Sequence, residues 1–428
     1  CDATLNRMRR RRTWIIAGLL LLCLLAGGAG LAYWIVHRPV ADVHNDSAPF
    51  TLTSDPTTVP TTPGGGSDAA KFGPPWPMYG LNPARTRDAS QLTTIAPPYR
   101  VVWKTAALGV LEYPPSYEDG VLYLTTDSGW ASARNVFTGK GLWARHFQPL
   151  VGEPALYRHR VYFGAYDQRV WALDEKTGHT VWSRAVGSKM ESPPVVAGGR
   201  LYMSDLAGNV RALDADSGRV LWTFHAAGAV KHGPALADGH IFFGDYAGVM
   251  YSLRASDGHL VWRTQTNGLS SGYRHGNFYS TPAVAYGRVY IGNTDGKVYS
   301  FVESTGQVAW TSTFPDWVYG SPAVSNGRVF AVAYDGTVAA MNARNGGRLW
   351  SRKLQDRSLS SATIIGQFLY VSDMGVNRGS APGHVYAINP GTGRVVWTFN
   401  DGKYHSVIAA AGRLILAGAS HLYALKPN

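Results

Sequence analysis

Short apolar runs alternate with polar turn clusters along most of this chain, and the pattern is clearest from Gly199 to Trp222, GRLYMSDLAGNVRALDADSGRVLW. An apolar, β-prone run (Leu201, Tyr202, Met203) leads to a turn at Gly208 and then an alternating run (Val210, Ala212) ending in Leu213 and Asp214. A tight Asp216-Ser217-Gly218 turn and Val220-Leu221-Trp222 complete the unit. Alternation over runs this short, bounded by Asp and Gly, predicts antiparallel hairpins. One such meander cannot bury its own apolar face, so it must stack on copies of itself.

The copies are present. A turn glycine precedes a tryptophan by four residues at Gly139/Trp143, Gly178/Trp182, Gly218/Trp222, Gly258/Trp262, Gly306/Trp310, Gly346/Trp350 and Gly393/Trp397. The start of the preceding strand recurs at Pro115, Pro154, Pro194, Pro234, Pro282, Pro322, Ala362 and Val407, with spacings of 39, 40, 40, 48, 40, 40 and 45. A period near forty with four short strands per unit predicts an all-β, bladed β-propeller of four-stranded antiparallel sheets.

The blade number follows from the ends. The unit at Val407 runs through Gly412–Leu416 and His421–Leu425 and stops without its tryptophan, whereas Tyr99-Arg-Val-Val-Trp103 carries a tryptophan with no glycine four residues earlier. Pairing these N- and C-terminal strands in one sheet predicts eight blades and hides edges that would otherwise invite association. Seven blades is the alternative. Trp103, Trp143, Trp182, Trp222, Trp262, Trp310, Trp350 and Trp397 are then read as packing between blades. Each would bury roughly 200 Å², about 5 kcal/mol at 25 cal/mol per Å². A chain of 428 residues suggests two or three domains by length, yet a repeat array of this size closes as one body.

The N-terminus is a different material. Arg9–Arg12 precede Trp14–Val36, 23 residues without a charge, long enough to cross a bilayer with some tilt. Residues 1–12 are therefore read as a basic cytoplasmic tail and 13–37 as a single-pass transmembrane helix, with the propeller outside the cytoplasm. Secretion after signal cleavage near Ala26–Gly30 is the alternative. Residues 38–75, rich in Pro, Thr, Ser, Gly and Asp, read as a disordered tether, and 76–428 as the propeller. The first seven residues, ahead of Met8, read either as a misread start or as the tail of a cytoplasmic domain upstream.

Charge and cysteine narrow the chemistry. Of a net charge of +12, residues 76–428 hold 33 Lys/Arg against 23 Asp/Glu, which suits an anionic cell-wall polymer, lipid headgroups or acidic protein faces as well as plain solubility. No basic run is interleaved with aromatics in the manner of a nucleic-acid site. The two cysteines, Cys1 and Cys23, lie in the tail and the span, leaving the propeller without a disulfide, a thiol nucleophile or a thiolate metal site. Asp295-Gly296 and Asp335-Gly336 read as hairpin turns rather than calcium loops, because the later ligands are absent.

Ser321–Phe330 (Ser-Pro-Ala-Val-x-x-Gly-Arg-Val-Phe), Asp335-Gly336 and Ala172–Trp182 (Ala-Leu-Asp-x-x-x-Gly-x-x-x-Trp) together resemble the bacterial quinoprotein (PQQ-like) propeller repeat. The opening Trp76-Pro-Met-Tyr-Gly-Leu-Asn-Pro-Ala-Arg-Thr86 is similar to that family's lead-in. The resemblance covers about residues 76–428 and implies the fold. It implies two kinds of function: quinone-dependent alcohol dehydrogenases, with PQQ and calcium, and non-catalytic BamB-like members of the outer-membrane assembly machinery. The dehydrogenases carry calcium on carboxylate and amide ligands, a catalytic Asp and commonly a vicinal cysteine pair. No such cysteine pair occurs here, and no acidic residue at the predicted channel mouth matches that Asp.

In a propeller the innermost strands start beside the axis, so residues just before the proline landmarks converge there. Three positions before them stand Glu112, Val151, Glu191, Lys231, Tyr279, Tyr319, Leu359 and Tyr404, and two before stand His232 and His405. The connector from Trp262 to Pro282 is longer than the rest and carries Tyr273, Arg274 and His275. Aromatic and cationic residues on such loops suit a ligand or partner. Glu112, Glu191 and His232 are cation ligands by type, but no spacing fixes them as a metal site. The expectation is a membrane-tethered, non-catalytic scaffold or recognition module that binds envelope proteins or anionic cell-wall polymer and carries no cofactor. The alternatives are a PQQ-dependent oxidoreductase and the outer sensor of a receptor such as a kinase.

Overall fold

In a computed structural model, described over residues 41–51, 72–148, 152–266, 276–375, 382–402, 407–418 and 421–428, the chain forms eight antiparallel sheets in sequence order around one axis. Blades 1 to 7 span residues 116–146, 155–185, 195–225, 235–265, 283–313, 323–353 and 363–402. Blade 8 pairs Ile408–Ala410, Arg413–Ala417 and His421–Pro427 with the early strand Tyr99–Ala106, Trp103 standing opposite Ala424. The inner strand of each blade is three residues long and nearly all buried, while outer strands such as Thr180–Ala185 and Arg348–Lys353 are largely exposed. The apolar clusters lie between successive blades, as expected for sheets that cannot bury both faces alone.

One junction repeats around the ring. The indole N–H of Trp143 donates to Glu175 O (2.8 Å), Trp222 to Ala255 O (3.0 Å), Trp310 to Ala343 O (2.9 Å) and Trp350 to Pro390 O (2.8 Å), each acceptor lying in the outer turn of the next blade. The ring lies against that blade's turn glycine. At Gly346 (φ +73°) an added Cβ would stand 2.6 Å from the Trp310 ring, so the glycine serves both the left-handed turn and the close approach. At the closing seam the position four before Trp103 is Tyr99, which packs edge-on against Trp397 with ring centroids 5.0 Å apart. A chain entering the ring there makes no turn, so no glycine is required.

The lead-in threads the axis. Carbonyls of Pro77, Pro83, Ala84, Thr86 and Arg87 accept the N–H groups of Leu156, Leu236, Val284, Val324 and Ile364, the middle residues of five inner strands. At blade 3 the Arg85 side chain takes over, donating to Pro193 O (3.1 Å) and Pro194 O (2.9 Å). Asp88–Ala89 then pair in parallel with Ile364 and Ile365. Short inner edges would otherwise leave backbone groups facing one another without partners, and this irregular segment supplies partners at blades 2 to 7.

Residues 41–51 depart from the composition-based reading of 38–75 as a tether. They lie on the rim of blade 5, where Asn45 N donates to Ala309 O (2.8 Å), Thr311 N donates to Val43 O (3.0 Å), and His44 bridges Trp310. Asp42 accepts from Thr313 Oγ1 (2.8 Å), and Arg288 donates to Ala48 O (2.8 Å) and Pro49 O (2.6 Å). Backbone pairing to a free sheet edge asks little of side-chain type, which is why composition concealed it. The apolar span Trp14–Val36 and most of the tether, 52–71, lie outside the described residues. Among the described residues no helix is long and apolar enough to cross a membrane.

Candidate functional site

The starts of the inner strands meet in a shallow axial mouth of about 220 Å³, lined by Tyr79, Glu112, Tyr113, Glu191, Lys231, His232, Tyr279, Tyr319, Leu359 and Ser361. Six of the eight residues three before the landmarks are therefore brought together, with His232 beside them. Val151, Tyr404, His405, Tyr273, Arg274 and His275 lie outside the described residues. The floor is Tyr79 of the lead-in, held through its hydroxyl to Ser361 Oγ (2.8 Å) and Ser321 Oγ (3.2 Å), so the mouth is closed below.

Its polar centre is one ion pair with aromatic walls. Lys231 Nζ stands 2.8 Å from Glu191 Oε2, hydrogen-bonds the Tyr279 hydroxyl and lies 4.5 Å from the Tyr279 ring centroid. The Tyr166 hydroxyl donates to the other Glu191 oxygen, and the Tyr113 hydroxyl donates to Glu191 O (3.1 Å). Burial draws the Lys231 ammonium down, but Tyr279 and Glu191 outweigh it and the net shift is upward, so the lysine stays charged. Burial, and then the Glu191 charge, push the Glu112 carboxyl above its usual range. Among the described residues no three His, Cys, Asp or Glu side chains are placed to hold a metal ion.

From the mouth an aromatic track runs outward over blades 4 to 6. Tyr246 stacks on Tyr279 (5.7 Å), Tyr319 stands edge-on to Tyr279 (4.7 Å) and to Trp317 (5.5 Å), and Trp317 stacks on Tyr334 (5.8 Å). It ends in an open groove of about 490 Å³ formed by Asp316, Trp317, Tyr334, Asp335, Lys353 and Arg357. Tyr166, Tyr246 and Tyr334 were missed from sequence although they repeat at one phase, twelve residues after Pro154, Pro234 and Pro322. A larger cleft of about 1090 Å³ lies elsewhere, between blades 6 and 7 and the closing seam, with Arg328 and Arg394 among its walls and no convergent cluster of titratable groups.

An eight-bladed ring of this construction, with a plugged axis and its polar residues gathered at one mouth, belongs to the quinoprotein-like propellers. The chain is a member of the family described as outer membrane protein assembly factor BamB, whose profile matches residues 89–204 and 270–425. BamB from Moraxella catarrhalis superimposes with a TM-score of 0.65 at 20% identity, covering 77% of this chain and 100% of that one. The quinohemoprotein alcohol dehydrogenase of Comamonas testosteroni does so with a TM-score of 0.69 at 14% identity, covering 84% and 81%. At such identities the likeness is one of fold. Among curated sequences, tetrathionate hydrolase of Acidithiobacillus ferrooxidans is 29% identical over 90 residues, 20% of this chain and 18% of that one. Quinoprotein alcohol dehydrogenase PedH of Pseudomonas putida is 32% identical over 102 residues, 20% and 17%. The match thus spans less than a fifth of the length of either relative.

Proposed function

We propose that this chain is a membrane-anchored binding scaffold of the cell envelope, its propeller outside the cytoplasm, which takes a protein segment at the axial mouth and along the aromatic track. The observation that carries this reading is the row of half-buried rings Tyr246, Tyr279, Tyr319, Trp317 and Tyr334. Large, stiff, amphipathic rings offer contact area at little cost in side-chain entropy, and such residues are enriched where proteins meet. Membership of the BamB family supports it.

The mouth fits a calcium-bound, three-carboxylate quinone poorly. Two glutamates face the cavity, and its lysine is already paired with Glu191. Its volume of about 220 Å³ falls below the roughly 300–1,000 Å³ usual for small-molecule pockets. A photo-crosslinking residue at Tyr319, compared with one at Val181 on the outer strand of blade 2, tests the scaffold in native membranes. A crosslinked envelope protein specific to position 319, and lost on Tyr279→Ala, is expected; the same products at both positions would refute it. The similarity to quinoprotein dehydrogenases keeps the oxidoreductase as the second reading. PQQ with calcium added to the purified chain would then give an absorbance change and dye reduction.

A further inference from the structure

We infer that the rim of blades 5 and 6 faces the bilayer and that the outer hairpin of blade 6 rests on anionic lipid headgroups. This inference rests on the proposed anchoring through Trp14–Val36 and adds an orientation to it. Three observations converge on that rim.

The first is chain length. Only residues 37–40 separate the end of the apolar span at Val36 from Ala41, where the docked segment begins. Whatever their conformation, five Cα steps cover at most about 18 Å. The propeller is therefore held close to the membrane by its blade 5 edge.

The second is how firmly that edge is held. The docked segment pairs by backbone with Ala309 and Thr311, and Asp42 accepts from Thr311 Oγ1 (3.1 Å) and Thr313 N (3.1 Å) and lies 3.6 Å from Lys297 Nζ. Its far end is fixed by the two hydrogen bonds from Arg288. His44 Nδ1 lies 3.2 Å from Asn345 O, so the segment also touches the outer turn of blade 6.

The third is charge. Residues 342–353 of that neighbouring hairpin, NARNGGRLWSRK, carry four cations and no acid, whereas the corresponding hairpins of blades 3 and 5 are each net negative by one. Arg344, Arg348, Arg352 and Lys353 are all exposed; Lys353 is paired with Asp335, which leaves the three arginines as the unneutralised charge. Blade 1 carries two cations and no acid over the corresponding residues 135–146, so the blade 6 hairpin is the most cationic of the outer hairpins of blades 1 to 7, and it lies directly beside the point where the chain leaves for the membrane. A cluster of basic residues at a membrane-proximal surface is drawn to anionic headgroups, over a range set by the Debye length.

The test uses the full chain with Cys1 and Cys23 replaced by Ser, reconstituted in vesicles of phosphatidylcholine with about one-third phosphatidylglycerol and a quencher on the headgroups. A fluorophore is placed at Leu349→Cys on blade 6 or at Val181→Cys on blade 2, positions of similar exposure (49% and 46%) on opposite sides of the ring. Quenching at 349 at least threefold greater than at 181 is expected. The excess should fall in pure phosphatidylcholine, in 0.5 M salt and on Arg344→Glu, whose side chain makes no hydrogen bond or ion pair among the described residues. Equal quenching at the two sites, with the span shown intact by mass, overturns the orientation and leaves the anchoring in place. An excess at 349 insensitive to lipid charge, salt and Arg344→Glu overturns the headgroup contact and leaves only the short connection to the membrane. A mature chain lacking residues 14–36 overturns the anchoring and this inference with it.

Discussion

Trp310 and Trp397 occupy the same phase of the repeat and sit in different surroundings. Trp310 is fully buried: its N–H is bonded to Ala343 O, the turn glycine Gly346 lies against the ring, and residues 41–51 cover its outer side. Trp397, at the closing seam, is half-buried and meets the edge of Tyr99 where the other blades present a glycine. The repeat sets where the indole points; chain from outside the repeat decides how well it is sealed. Segments N-terminal to the first blade do this work three times, covering blade 5, plugging the axis and completing blade 8.

Truncation separates the two sites most strongly. Trp310→Ala should destabilise the protein by about 3–5 kcal/mol, since a sealed site cannot collapse around the void. Trp397→Ala should cost about half as much, because its site is already open to water on one side. Denaturant unfolding of both variants reads the difference, and equal losses would show that the covering segment adds nothing to the junction. The turn glycines give a smaller version of the same contrast. An alanine at Gly346 carries about 1–2 kcal/mol of left-handed backbone strain and drives its Cβ to 2.6 Å from an indole that cannot retreat, so about 2–3 kcal/mol is expected. At Gly139 the φ is similar, +70°, but the opposing ring of Trp103 is half-buried and 2.9 Å away, and the cost should stay near the backbone term.

The sequence period carried more than the fold. Because each blade repeats the same path from axis to rim, a position counted from the proline landmark is also a radius, and that is why Glu112, Glu191, Lys231, Tyr279, Tyr319 and Leu359 emerge around one cavity. The same logic extended to the phase twelve residues on would have recovered Tyr166, Tyr246 and Tyr334. What the period could not reveal lies outside it. Tyr79 becomes the floor of the mouth only because the lead-in threads the axis, and residues 41–51 hold blade 5 largely through backbone bonds that leave little mark on composition. The Lys231–Glu191 pair joins positions 40 residues apart, meeting only because adjacent blades bring equal phases together.

A third junction shows the same construction with a titratable group in it, and offers the mildest test. At the boundary of blades 4 and 5 the Trp262 N–H donates to Glu303 O (2.8 Å), the counterpart of Ala343 beneath Trp310. Burial, and then the charge of Asp238, raise the Glu303 carboxyl to about 7. Its folded value lies above its unfolded one, so between about pH 4.5 and 7 the native state binds more protons than the unfolded chain. Stability at this site therefore falls as pH rises through that window and levels off above it. Glu303 is partly exposed, which reduces the effect to about 1 kcal/mol. Glu303→Gln, which keeps the shape and removes the charge, should leave stability unchanged at pH 4 and raise it by about that amount at pH 8. Thermal unfolding of the two proteins at both pH values checks this, and a Gln variant no more stable at pH 8 would mean that the carboxylate is already solvated at the junction.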